Sequence, residues 1–148
     1  MKLGFLTACL PRRPLDEICA WAQAHDFEAL EIAAWPALGD RPVTATHLRA
    51  EDFGPEEAEA TRQLLEKHGL ECSSIAFYDN NLHPDSDERR AVNDHVLRCI
   101  DAAALLECPT VGTFVGRDPG RSVVENLRDA EDVFRPLVDH AREAGVKI

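Results

Sequence analysis

The chain has no CxxC pair, no apolar run of membrane-spanning length, no glycine-rich turn after its first strand and a shortage of positive charge. Each absence removes a class of function. Five cysteines, Cys9, Cys19, Cys72, Cys99 and Cys108, are odd in number, widely spaced and set mostly in apolar segments, so they read as reduced core thiols, not as disulfide staples or zinc ligands. Without a long apolar run there is no candidate spanning helix. Met1-Lys2 leads straight into a short apolar stretch that Pro11-Arg12-Arg13-Pro14 interrupts, too short for a secretory leader. Asp and Glu number 27 against 16 Lys and Arg, a formal net charge of -11, which argues against nucleic acid or an anionic membrane as partner. HExxH, GxSxG and Walker patterns are missing, which removes the common metalloprotease, serine hydrolase and P-loop readings. The expectation is a soluble, cytoplasmic, enzyme-like domain spanning 1–148, long enough for one real core.

What is present is a repeat of apolar strand and amphipathic helix. The first strand is expected at about Lys2 to Leu6. A helix opening at Pro14 carries Leu15, Ile18, Ala22 and His25 on one stripe. The second strand covers Glu28 to Ala34, followed by a long excursion from Pro36 to Gly54, a length that often carries function. Pro55 opens the second helix, with Ala58, Thr61, Leu64, Leu65 and His68 inward and Gly69 as a left-handed cap. The third strand is expected from about Glu71 to Phe77 and the third helix from about Ser86 to Leu106, with Val92, Val96, Cys99, Ile100 and Ala103 inward. Thr110 to Val115 is the fourth strand. Ser122 and Glu125 form a capping box for a fourth helix whose stripe is Val123, Leu127, Ala130, Phe134, Leu137, Val138 and Ala141. Gly145 ends it, and a fifth strand is expected to begin at Val146-Lys147-Ile148, where the sequence stops.

Such alternation predicts a parallel sheet with helical crossovers, either doubly wound or closed as a barrel. A dinucleotide fold needs glycines after its first strand, whereas Thr7-Ala8-Cys9-Leu10-Pro11 has none. The barrel is therefore favoured: an α/β fold comprising the N-terminal half, about four βα units, of a (βα)8 TIM barrel, with its site at the strand C-termini. The residues there are Trp35 and Pro36, the run Phe77-Tyr78-Asp79-Asn80-Asn81-Leu82-His83-Pro84, and Gly112-Thr113-Phe114-Val115-Gly116-Arg117-Asp118. Aromatic faces beside amide, imidazole and guanidinium donors suit a small polyhydroxylated ligand, because rings stack on the C–H face of a sugar while donors bind its hydroxyls.

The candidate substrate-binding residues are Glu31, Trp35, Tyr78, His83, Phe114 and Arg117, each with a plainer alternative. Glu31 alternates with Leu30 and Ile32 and so faces the barrel interior, either in a structural ion pair or against substrate. His83 either bonds the ligand or braces its loop. Arg117 suits a phosphate or carboxylate, while pairing with Asp118 is the surface reading. Trp35, Tyr78 and Phe114 form an apolar wall or pack beneath loops. His47, in the excursion, is a lid residue or, on the plainer reading, a solvated surface histidine. His25, His68, His95 and His140 fall on or beside helices and read as structural.

The segments Phe27 to Ile32, Tyr78 to Pro84 and Cys108 to Gly116 together resemble the first half of the sugar phosphate isomerase/epimerase family, within the xylose isomerase-like barrels. Ketose 3-epimerases, hydroxypyruvate isomerase, inosose dehydratase and endonuclease IV are related. The resemblance covers essentially the whole chain and about half of a typical member. It implies isomerisation or epimerisation of a keto sugar, a sugar phosphate or a related polyol. It also implies a divalent metal (Mn, Mg, Co or Zn) held by carboxylates and histidine on the fifth to eighth strands, with a Glu just past Ile148. None of those ligands falls within this sequence, so no catalytic or metal residue is assigned and the chain alone is not expected to turn over substrate. In the endonuclease branch a histidine near His83 binds metal, but here the fourth strand ends in Phe114-Val115-Gly116 without a second one. Two other readings stand beside this one: a half-barrel that pairs with a copy of itself or another chain to bury its sheet edges, and a non-catalytic module that binds sugar without metal.

Overall fold

The computed structural model describes residues 1–36 and 45–148. Four strands, β1 (Gly4–Leu6), β2 (Ala29–Ala33), β3 (Glu71–Asn80) and β4 (Val111–Phe114), alternate with four helices, α1 (Leu15–Ala24), α2 (Pro55–Lys67), α3 (Ser86–Leu106) and α4 (Val123–Glu143). All neighbouring strands are parallel and the sheet order is β1-β2-β3-β4. Each new strand therefore adds beside the last with no reversal of direction across the sheet. That order builds a barrel wall and lacks the switch point of a doubly wound fold. After α4 the chain returns to the free edge of β4, where Val111 N–H donates to the Lys147 carbonyl (2.8 Å) and Lys147 N–H to the Pro109 carbonyl (2.9 Å). The expected fifth strand thus starts to pair at Lys147.

Local chemistry sets the helix ends. Pro14 is the N-cap of α1, one residue before the first helical position, with Asp16 and Glu17 in the first turn where they favour the dipole. Glu57 Oε2 accepts from the Gly54 backbone N–H (3.0 Å) at the start of α2. Asp85 accepts from the N–H groups of Asp87 (2.9 Å) and Glu88 (3.0 Å) at the start of α3. In the capping box of α4, Ser122 Oγ accepts from Glu125 N–H (3.3 Å) and Glu125 Oε2 from Ser122 N–H (2.9 Å). Gly69 and Gly145 take the left-handed conformation that closes α2 and α4.

The helices cover one face of the sheet only. Ile18, Cys19 and Ala22 of α1, Leu65 of α2, and Val92, Val96, Cys99, Ile100 and Ala103 of α3 pack with Leu30, Ile32, Ile75, Phe77 and Val111. Strand alternation then sends Glu31, between the fully buried Leu30 and Ile32, to the helix-free face. The predicted 37–44 part of the excursion lies outside the described residues. Its later part is built into the fold: Thr46 bridges Ala34, Leu48 and Ala50 are buried, and Ala50–Asp52 form a 3₁₀ turn. Among the described residues no helix is long and apolar enough to cross a membrane.

Three expectations are corrected. β3 continues past Phe77 to Asn80, because a register shift after Ala76 lets Asn80 pair with Phe114. His25 leaves the buried stripe of α1; it is exposed, stacks on Trp21 (4.2 Å between centroids) and bonds the Trp21 carbonyl through Nδ1 (2.8 Å). On α4 only Leu137 and Ala141 of the expected stripe are fully buried, while Val123, Leu127 and Val138 are exposed. The helix packs on α3 along one side, and its outward apolar side has no covering element among the described residues.

Candidate functional site

Glu31 of β2 and Tyr78 of β3 meet on the helix-free face, where the Tyr78 hydroxyl donates to Glu31 Oε1 at 2.5 Å. The Tyr78 ring lies 4.8 Å from that of Phe114 and 6.0 Å from that of Trp35, which also meets Phe77 edge-on at 6.2 Å. Four of the six sequence candidates, Glu31, Trp35, Tyr78 and Phe114, therefore form one continuous group at the C-terminal half of the sheet. Gly112 makes the space for it. A Cβ at that position would lie 2.5 Å from the Tyr78 hydroxyl and 3.1 Å from Glu31 Oε1. Phe114 is 58% exposed, so its ring is an accessible face and is not packed beneath a loop.

Of the two readings of Glu31, ion pair or substrate contact, the ion pair is not formed among the described residues, and the carboxylate bonds a neutral phenol. Burial, followed by the hydrogen bond to Glu31 and its charge, pushes the Tyr78 hydroxyl up to about 12. Below Glu31 a cavity of about 470 Å³ runs along the helix-free face past Ser73, Gly4 and Leu6. A carboxylate, a phenol and two further aromatic faces at such a surface can accept and donate hydrogen bonds to hydroxyls while stacking on C–H groups.

His83 and Arg117 stand apart from the cluster. His83 Nδ1 accepts from Asp85 N–H (3.2 Å) and its carbonyl accepts from Arg89 Nη1 (2.9 Å), so the residue braces the entry into α3. Arg117 is exposed, and among the described residues no ion pair joins it to Asp118. The Asp118 carboxylate instead accepts from Gly120 N–H (2.8 Å), closing its own turn.

Sequence reasoning missed the amides that hold this end together. Asn80 Oδ1 accepts from the N–H groups of Leu82 (3.1 Å) and Arg117 (2.8 Å), and Asn80 Nδ2 donates to the Arg117 carbonyl (2.9 Å). One side chain thus clamps the loops after β3 and β4 together. Asn81 is fully buried and donates through Nδ2 to Thr113 Oγ1 (3.0 Å) and the Phe114 carbonyl (2.5 Å). Two adjacent asparagines after an apolar strand were the available signal.

His47 is not a solvated surface residue. Thr7, fully buried after β1, accepts from Ala33 N–H through Oγ1 (2.9 Å), and the same oxygen shares a hydrogen bond with His47 Nδ1 at 2.8 Å. Burial holds the imidazole below its ordinary pKa, opposed in part by the backbone carbonyls of Arg13 and Leu10. His95 is structural, as expected: it is buried, bonds the Ala34 carbonyl through Nε2 (2.7 Å) and meets the Phe77 ring edge-on at 4.4 Å. Among the described residues no group of three or more His, Cys, Asp or Glu converges in a way that could hold a metal ion.

The sequence profile described as xylose isomerase-like TIM barrel matches residues 19–148. Among solved structures, the xylose isomerase domain protein from Planctomyces limnophilus is similar, with a TM-score of 0.70 and 18% identity over 98% of this chain and 51% of that one. The IolI protein with a bound zinc atom is similar at a TM-score of 0.70 and 18% identity, over 100% of this chain and 50% of that one. D-psicose 3-epimerase from Clostridium cellulolyticum H10, solved with D-tagatose, has a TM-score of 0.69 and 14% identity over 99% of this chain and 50% of its own. The chain therefore spans about half the length of these structural relatives. No curated protein sequence matches it. The profile match over most of the chain agrees with four parallel βα units laid side by side, and the chain belongs to the xylose isomerase-like TIM barrel family, of whose barrel it forms one half.

Proposed function

We propose that this half-barrel supplies one wall of a sugar site in an isomerase or epimerase acting on a keto sugar, a sugar phosphate or a related polyol. The observation that carries the reading is the Glu31–Tyr78 pair, hydrogen-bonded at 2.5 Å and flanked by Phe114 and Trp35 on the helix-free face. A sugar presents a C–H face that stacks on aromatic rings and hydroxyls that bond both a carboxylate and a phenol. On this reading Phe114 and Trp35 orient the ring of the substrate. Glu31 accepts from one hydroxyl, and Tyr78 bonds a second while remaining neutral. Arg117, exposed and without an acidic partner among the described residues, is the candidate for a phosphate at the rim, and His83 is assigned to holding the loop beside it.

The D-tagatose in the C. cellulolyticum epimerase and the zinc in IolI support a sugar substrate and a divalent metal (Mn, Mg, Co or Zn) for a complete barrel of this kind. The described residues do not assemble a metal site. The contribution of this chain is binding and orientation.

The test is a titration of the chain with D-tagatose and D-psicose, followed through Trp35 fluorescence after replacing the other tryptophan by W21F. A saturable change that weakens at least tenfold in Y78A is expected. A signal that never saturates with either sugar, or one that Y78A leaves untouched, removes the assignment.

A further inference from the structure

Near the N-terminal end of β3, Cys72 and Cys108, just before β4, bring their sulfurs to 3.2 Å, with the Cys72 thiol donating to Cys108 Sγ. Cys72 lies on β3 three residues before Ile75, and Cys108 lies three residues before Val111, the β4 residue that pairs with Ile75. Neighbouring strands lie about 4.8 Å apart, within the range of roughly 4.4–6.8 Å that a disulfide spans between Cα atoms. Bringing the sulfurs to a bond length of about 2.05 Å then needs a movement of about 1 Å, within the reach of side-chain rotation. Cys72 lines an open cleft of about 780 Å³ between the end of α2 and the end of α3, with Glu107 and Pro109 on the same wall, and the buried Cys108 lies directly behind Cys72.

We propose that Cys72 and Cys108 are a reversible redox pair that closes to an intramolecular disulfide when the chain meets a peroxide. The hydrogen bond from Cys72 holds the Cys108 thiol below its ordinary range against the opposing effect of burial, while the same bond and burial push Cys72 up. Cys108, whose sulfur accepts the Cys72 S–H at 3.2 Å, is the nucleophile in this proposal. Its thiolate attacks one peroxide oxygen, the O–O bond breaks, and the departing hydroxide takes the Cys72 proton to leave as water. The Cys72 thiolate then attacks the sulfur of the Cys108 sulfenic acid, expelling hydroxide, which takes back from solvent the proton that Cys108 released on ionising and leaves as a second water. Two thiols are oxidised, one peroxide is reduced, and a dithiol reductant reverses the change. Cys19 and Cys99 are fully buried, burial pushes both thiols up, Cys19 to about 11, and neither has a second thiol beside it. Cys9 is exposed and is the competing site.

The experiment treats the whole chain, as the C9S variant, with hydrogen peroxide, blocks remaining thiols in denaturant and maps the peptides without reduction. The expected product is one linked pair of peptides carrying Cys72 and Cys108, two hydrogens lighter than the sum of its parts and restored by dithiothreitol. C72S should then stop at a dimedone-reactive sulfenic acid on Cys108, and C108S should give none on Cys72. Full alkylation of both residues after peroxide overturns the proposal, as does a link between chains in place of the internal one. Equal dimedone labelling of Cys72 in C108S overturns the assignment of the nucleophile. Because the readout is a thiol linkage and neither cysteine belongs to the Glu31–Tyr78 pair, neither result depends on whether a sugar binds.

Discussion

Tyr78 is the only tyrosine in the chain, so tyrosinate absorbance reports on the proposed sugar wall and on nothing else. Its hydroxyl is lifted from 10.0 to about 12, first by burial and then by the Glu31 carboxylate. At about 1.36 kcal/mol per tenfold, that lift corresponds to about 2.7 kcal/mol between the two protonation states. The ring is only half-buried, and solvent screening reduces its value for stability to about 1 kcal/mol. The sign follows from linkage. Below pH 10 both folded and unfolded chains keep the proton and the stabilisation is complete. Between 10 and about 12 the unfolded chain gives up its proton while the folded chain holds it, so stability falls as pH rises through that window. An absorbance titration of the native chain should therefore show a midpoint near 12. In E31Q the midpoint should move back toward 10 without reaching it, because burial, the larger cause, remains. Urea denaturation at neutral pH should show Y78F less stable by about 1 kcal/mol. A tyrosinate midpoint at the ordinary value, unchanged by E31Q, would refute the pair and with it the geometric basis of the proposed site.

Gly116 has φ +73, and a Cβ there would meet Asn80 Oδ1 at 1.9 Å and Asn80 Cα at 2.8 Å, so G116A should break the clamp between the β3 and β4 loops and destabilise the chain by about 2 kcal/mol or more in urea. N81A removes both donors that Asn81 gives to Thr113 and Phe114 and should cost about 1–3 kcal/mol, with faster amide exchange at the end of β4. Because the folded His47 pKa lies below its ordinary value of 6.5, the unfolded chain takes up protons first as pH falls, so stability should decline below that value, and H47Q should flatten the decline. A profile as steep in H47Q as in the native chain would place the titrating group elsewhere.

The local rules held well wherever one residue type has one strong preference. Pro55 and Gly69 bound α2, Ser122 and Glu125 cap α4, and α3 runs from Ser86 to Leu106 with its apolar spacing facing the sheet. Periodicity failed on α4, because an apolar stripe states what a helix can bury but not whether a neighbour is there to bury it; Val123, Leu127 and Val138 are apolar and exposed. It also stopped β3 too early, since Tyr78-Asp79-Asn80 has the polar composition of a loop and is held extended by pairing with β4.

For the site, the sequence alone determined which strand ends carry aromatic and polar groups and that Glu31 points away from the helices, because side-chain direction in a strand alternates with every residue. Only the tertiary structure decided which of those groups meet. Glu31 and Tyr78 are 47 positions apart and share a 2.5 Å bond, Thr7 and His47 are 40 apart, and Cys72 and Cys108 are 36 apart with sulfurs at 3.2 Å. Spacing in the chain carries no signal for such pairs. Their partnership is set by parallel strand register and by the missing side chain at Gly112, and register is a property of the assembled sheet.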